Sequence, residues 1–179
     1  MSNLSYTELR KLLDTGVVRN CRPEQVNAAS IDITLGPTIL VERVPTTYNT
    51  VSLRSRHPLD MKEVDIRKGY IVKPGEFFLA HSVEIFNLPS DLLAEYHLKS
   101  SMARIGLNHL KAGWCDPGWM GSVLTLELMN VTRYHSIEVW AGDAIGQMEF
   151  RRVQPVPAEA SYAARGRYNN DLTVKGVKP

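Results

Sequence analysis

Glu127 is the residue with the clearest chemical promise. It lies in Val123-Leu124-Thr125-Leu126-Glu127-Leu128-Met129, a run that alternates as a β-strand does. Period two sends Leu124, Leu126 and Leu128 to one face and leaves Val123, Thr125, Glu127 and Met129 on the other. A carboxylate among such neighbours is partly desolvated, which raises its pKa and suits it to taking and returning a proton. The same spacing also fits a glutamate on a solvent face.

Two further stretches offer anchoring chemistry. Lys99-Ser100-Ser101-Met102-Ala103-Arg104-Ile105-Gly106 follows an expected strand and enters a helical turn. Backbone N–H groups and the two hydroxyls can donate to phosphate oxygens while Lys99 and Arg104 balance the charge. An ordinary N-cap reads the same way. Gly113-Trp114-Cys115-Asp116-Pro117-Gly118-Trp119 is a tight aromatic-flanked turn. Asp116 there can accept from a sugar hydroxyl, and an indole can lie against a sugar or base. A plain Asp-Pro-Gly turn with two core tryptophans remains open.

Metal chemistry finds little support. The histidines His57, His81, His97, His109 and His135 show no paired ligand spacing, and Cys21 and Cys115 stand alone. Zinc nucleobase deaminases use His-x-Glu and a later Pro-Cys-x-x-Cys, and neither occurs. No metal ligand and no zinc are expected.

The elements that must carry these groups are short strands. Ser5 and Glu8 form a capping box ahead of Leu9, Leu12 and Leu13, so one short N-terminal helix is expected, ending at Gly16. Beyond it, strands are expected over 31–35, 38–41, 83–86, 93–98, 122–129, 137–140 and 145–152. A hairpin is expected over 70–72 and 76–80, around Lys73-Pro74-Gly75. Such spacing indicates a mainly β sandwich or barrel. Residues 1–160 read as one domain. Residues 161–179 read as a tail with four cations against one acid, either frayed or a mobile lid that closes over phosphates.

Composition bounds the rest. Hydrophobic residues at 44% and charged residues at 22% suit a globular domain. A net charge of +2 is too small for a polyanion partner, so no nucleic acid is expected. No apolar run approaches membrane-spanning length and Met1 to Arg10 lacks a signal pattern, so a cytoplasmic protein without membrane contact is expected.

Taken in order, five segments resemble the dCTP deaminase branch of the trimeric dUTPase superfamily. They are Asn27 to Gly36, Lys99 to Gly106, Asp116-Pro117-Gly118-Trp119-x-Gly121 running into Leu126-Glu127, Gly142-Asp143-x-Ile145-Gly146-Gln147, and the tail around Tyr162 and Arg167-Tyr168. The resemblance implies a distorted β-barrel of the dUTPase-like jelly-roll or β-clip kind, assembled as a homotrimer with active sites at subunit interfaces. It implies hydrolytic deamination of dCTP to dUTP and ammonia without zinc. Glu127 would be the general base; Asp116, Arg104 and Ser101 would be its catalytic companions. Lys99, Ser100, Ser101 and Arg104 would hold phosphates that carry Mg2+, and Asp116 would meet the 3′-hydroxyl. Trp119 would stack near the sugar, backbone around Ala112 would read the pyrimidine, and Gln147, Tyr162, Arg167 and Tyr168 would complete the pocket.

Three positions depart from the family pattern. Lys99 stands where arginine is usual, which turns a bidentate contact into a point charge. Gly113-Trp114 replaces the His-Arg of single-function deaminases and resembles bifunctional enzymes that continue to dUMP and pyrophosphate. Asp171 stands near a usual glutamine, where an acid should repel phosphate. A dUTPase alone, a deaminase of dCMP or a modified cytosine nucleotide, and a nucleotide-sensing binding module are the alternatives.

Overall fold

A computed structural model describes residues 2–44, 46–47, 50–54 and 56–178. The N-terminal helix α1 spans Tyr6–Asp14 with the expected capping box between Ser5 and Glu8. Leu9 and Leu12 turn its apolar face into the core, and Gly16, at φ +73°, ends it.

Among the described residues twelve strands follow: β1 (Val18–Arg19), β2 (Ile31–Thr34), β3 (Thr38–Glu42), β4 (Met61–Asp65), β5 (Tyr70–Val72), β6 (Phe77–Asn87), β7 (Leu92–Leu98), β8 (Leu107–His109), β9 (Trp114–Cys115), β10 (Met120–Asn130), β11 (Ile137–Val139) and β12 (Ala144–Arg152). Two short helices, α2 (Ser100–Arg104) and α3 (Tyr162–Arg165), complete the fold. One sheet runs β4-β3-β6-β10-β8 with β1 added to β6, a second runs β2-β12-β7-β9, and a third pairs β11 with β5. All three sheets feed one apolar core that includes Phe78, Phe86, Leu126, Leu128 and Phe150. The mainly β expectation holds, and among the described residues no sheet closes on itself.

A buried acid ties two of the sheets together. Glu84 on β6 has no exposed surface. Its carboxylate accepts from Thr34 N, from Thr34 Oγ1 at 2.6 Å and from Gln25 Nε2 at 2.6 Å. Full hydrogen bonding is what makes a buried carboxylate tolerable.

Two expectations for β6 change. Residues 77–80 and 83–86 belong to one strand, bulged where pairing jumps from His81↔Thr125 to Ile85↔Val123. Ser82 fills the bulge: its Oγ accepts from Leu124 N at 2.8 Å and donates to Glu84 O at 2.7 Å. The hairpin around Lys73-Pro74-Gly75 is also corrected. The turn is present, with Gly75 at φ +76° and Glu76 N donating to Lys73 O at 3.0 Å. Its flanking strands part, however, because β5 pairs β11 while β6 pairs β10 and β3. Buried Asn130 is the reason. Its Nδ2 donates to Val72 O at 3.0 Å and its carbonyl accepts from Gly75 N at 2.8 Å, so the turn folds over the end of β10.

Candidate functional site

Strand β10 presents Glu127 as its alternation requires. Leu124, Leu126 and Leu128 are buried, while Thr125, Glu127 and Met129 lie half-buried on the other face. Opposite Glu127 stands Leu79 of β6, and Leu79, Phe77 and Met61 form an apolar wall beside it. They line a cleft of about 470 Å³ whose far side is made by Ala112, Trp114, Cys115, Trp119, Tyr162 and Tyr168. That volume and mixed aromatic lining suit one small organic ligand. The Glu127 side chain is 28% exposed, and its Oε2 is buried without a hydrogen-bond partner. One carboxylate oxygen is thus sealed from water, and among the described residues no arginine forms an ion pair with Glu127.

The turn from Gly113 to Trp119 sends its tryptophans in opposite directions. Trp119 is buried and stacked on Phe86, with ring centroids 5.5 Å apart. Its Nε1 donates to Tyr168 O at 2.7 Å, which places it under the cleft as a core residue and an anchor for the tail. Trp114 is exposed, and its Nε1 donates to Asp116 Oδ1 at 2.8 Å. Asp116 is thus oriented by an indole of its own turn. Cys115 between them is buried, and desolvation with the nearby charges of Asp116 and Glu127 pushes its thiol far above the usual range, so it is an inert wall.

The tail packs back against the sheet that carries Glu127. Asn170 N donates to Met120 O and Val123 N donates to Asp171 O, so residues 168–171 run along the start of β10. Tyr162 and Tyr168 reach the cleft, and Lys175, Gly176 and Val177 close its edge. Burial raises the pKa of the Tyr162 phenol, and its ring lies where a side chain at Gly166 would have to go. Asp171 does not act as a bare acid: Lys178 Nζ lies 2.6 Å from its Oδ2 and 5.2 Å from the centre of the Tyr168 ring. Within the chain, that cation offsets the Asp171 charge. Arg167 is exposed, and its carbonyl accepts from Lys178 Nζ.

The phosphate-type residues gather elsewhere. Ser100 and Ser101 are exposed in the first turn of α2, and neither hydroxyl caps it. Arg104 opens onto a second hollow of about 590 Å³ with Gly106, Thr132 and Glu138. Lys99 Nζ sits 2.6 Å from Asp32 Oδ2, so its charge is committed to the first motif. Gln147 on β12 pairs across to Asp32 and His97. A single chain therefore brings Ala112, Trp119, Glu127, Tyr162 and Tyr168 to one cleft, while Asp116 follows the lining residue Cys115 without itself lining the cleft. Lys99, Ser100, Ser101, Arg104, Gln147 and Arg167 lie outside that lining.

Among the described residues, Glu95, His97 and Glu149 are the one group whose side chains approach one another as metal ligands do. Arg151 already bridges it, with Nη2 2.9 Å from Glu95 and in contact with Glu149. No helix among the described residues is long and apolar enough to cross a membrane.

Sequence reasoning missed His109, whose imidazole lies against Glu127 with Nε2 3.6 Å from Oε2. It also missed the cleft wall from Leu59, Met61, Phe77 and Leu79. Alternation within β6 and β10 could have found Phe77 and Leu79; nothing local signals His109.

Comparison with known proteins bears on the family and the fold. A family model described as dCTP deaminase-like matches residues 3–153. A protein from Acidothermus cellulolyticus named "dCTP deaminase, dUMP-forming" is 38% identical over 167 residues, covering 90% of this chain and 85% of its own. One of the same name from Corynebacterium glutamicum (strain R) is 33% identical over 165 residues, covering 90% and 86%. The crystal structure of the 2′-deoxycytidine 5′-triphosphate deaminase from Agrobacterium tumefaciens has a similar fold, with a TM-score of 0.68 at 23% identity. It covers 84% of this chain, which spans 48% of that longer one. With its Glu127 cleft and this breadth of match, the chain belongs to the dCTP deaminase-like family.

Proposed function

We propose that this protein deaminates dCTP hydrolytically and carries the product on to dUMP and pyrophosphate. The observation that carries the first step is the Glu127 carboxylate, half-sheltered on an apolar wall and facing a cleft of nucleobase size. Glu127 takes a proton from water as the oxygen adds to C4 of the cytosine ring. The C4–N4 bond then breaks, and the proton held by Glu127 leaves with the amino group as ammonia. Side chains alone supply this chemistry, since the sequence lacks the ligand motifs of the zinc deaminases.

The second step draws support from Trp114 and Asp116. The Ala112-Gly113-Trp114-x-Asp116 arrangement forms a fixed unit in which the indole orients the carboxylate. Relatives whose names say dUMP-forming are similar over 90% of this chain. The phosphates, with Mg2+ as part of the substrate, would take Ser100, Ser101 and Arg104 from α2 of a second copy, because within one chain α2 does not line the Glu127 cleft. That division of labour supports a homotrimer with shared sites.

The test is incubation with dCTP and magnesium, following ammonia and separating dUTP from dUMP by chromatography, beside dCMP, dUTP and CTP. Glu127→Gln should bind dCTP and lose deamination by about 100-fold or more. No ammonia from any cytosine nucleotide with folded protein would end the deaminase reading, and dUTP as sole product would end the second step.

A further inference from the structure

We infer that His109 is a positioning residue for the proposed base, holding one oxygen of Glu127 so that the other faces the bound pyrimidine. The inference rests on the assignment of Glu127 as the group that moves the proton. Among the described residues, three buried side-chain polar atoms lack a hydrogen-bond partner: Tyr96 Oη, His109 Nε2 and Glu127 Oε2. Two of them face each other, with Nε2 3.6 Å from Oε2. The third belongs to the ring against which His109 packs edge-on, at a centroid distance of 4.7 Å.

Such groups are rarely left unpaired in a protein interior, and clustering next to an acid in a cleft points to a role at the reacting end of the site. The gap between His109 and Glu127 is slightly longer than a hydrogen bond. A side-chain adjustment of a few tenths of an ångström closes it, and catalytic contacts commonly tighten only when substrate fills the site.

The local fold explains how the imidazole gets there. Strand β8 ends at His109, with His109 opposite Leu128 and Leu110 N donating to Glu127 O at 3.1 Å. The ring is therefore one step off register from Glu127, at a strand end. Gly113 and Gly146 let Tyr96 press in from behind: a side chain at Gly146 would fall 2.1 Å from the Tyr96 ring, and one at Gly113 would meet the Tyr96 backbone and Cβ at 2.8 Å. Tyr96 is 3% exposed and so backs His109 firmly.

The chemistry follows from the donor. A neutral imidazole protonated at Nε2 offers one N–H and fixes one carboxylate oxygen. Oε2 is the sealed oxygen, which leaves Oε1 for the water and later for the departing nitrogen. Without His109 the carboxylate can rotate, and fewer encounters have the proton path aligned.

The experiment compares His109→Ala, His109→Asn and His109→Gln for dCTP deamination, with thermal melts to check folding. His109→Ala should lower kcat about 10- to 100-fold, while KM moves by less than about threefold. His109→Gln, whose amide nitrogen reaches about as far as Nε2, should recover most of kcat, whereas the shorter His109→Asn should not. In a Glu127→Gln background, His109→Ala should change residual turnover little. Equal rates for the Asn and Gln variants, or wild-type kcat in a folded His109→Ala, overturn the positioning role. If His109→Ala does not fold, the Asn–Gln contrast decides alone. Wild-type turnover by Glu127→Gln instead removes the base assignment itself.

Discussion

Replacing each tryptophan of the Gly113–Trp119 turn separates a core residue from a surface one. Trp119 is 6% exposed, stacked on Phe86 at an interplanar angle of 19°, and bonded through Nε1 to Tyr168 O. Trp119→Ala removes the stack, the bond and most of the buried surface, which costs roughly 3–5 kcal/mol. For a chain of this length each kcal/mol lowers Tm by roughly 2–4 °C, so a fall of about 6–20 °C is expected. Trp119→Phe keeps a stacked ring and loses one hydrogen bond. Tyr168 O retains Ser122 Oγ as a donor at 3.0 Å, so no acceptor is stranded and the loss is about 1–2 kcal/mol. Trp114 is 55% exposed, and Trp114→Ala should change stability by only about 0.5 kcal/mol. The assay is a thermal melt followed by near-ultraviolet circular dichroism, with trypsin digestion to report on the tail after Arg165 and Arg167. Equal melting temperatures for the two alanine variants would refute the core assignment of Trp119. An unloosened tail in Trp119→Ala would refute its anchoring role.

Gly146→Ala forces a methyl group into the buried Tyr96 ring and should cost roughly 1–3 kcal/mol by thermal melt. Because Tyr96 backs His109, deamination should fall with it. Burial lowers the pKa of His81 below its ordinary 6.5. The unfolded chain then binds a proton that the folded one refuses, so stability falls as pH drops through about 6.5. Melts at about pH 7.5 and 5.5 should show His81→Asn flattening that loss. Lys178→Met keeps the aliphatic stem but leaves Asp171 without its cation, and should loosen the tail by roughly 1 kcal/mol, read as faster trypsin cleavage after Arg167.

Much of the site's chemistry was legible in residue types. Alternation around Glu127 placed it on the half-buried face of β10, because a strand's side chains must alternate and leucines claim the core side. Ser5 and Glu8 announced α1 through a contact only three residues long. Short edge strands were not legible. Strand β4 reads Met-Lys-Glu-Val-Asp with no apolar face, and it forms because β3 offers a partner. Residues 70–80 carried a genuine turn signal, yet the turn's partner was Asn130, 58 residues beyond Val72 in sequence.

The sequence by itself determined the mainly β class, the helix, and the family to which the motifs belong, since these depend on local period, capping and residue order. Only the tertiary structure decided that Trp119 is core while Trp114 is rim, that Lys178 neutralises Asp171, that Lys99 is held by Asp32, and that His109 meets Glu127. Each of these is a contact between side chains whose distance is set by how separate strands and turns stack. No rule of local spacing encodes that distance.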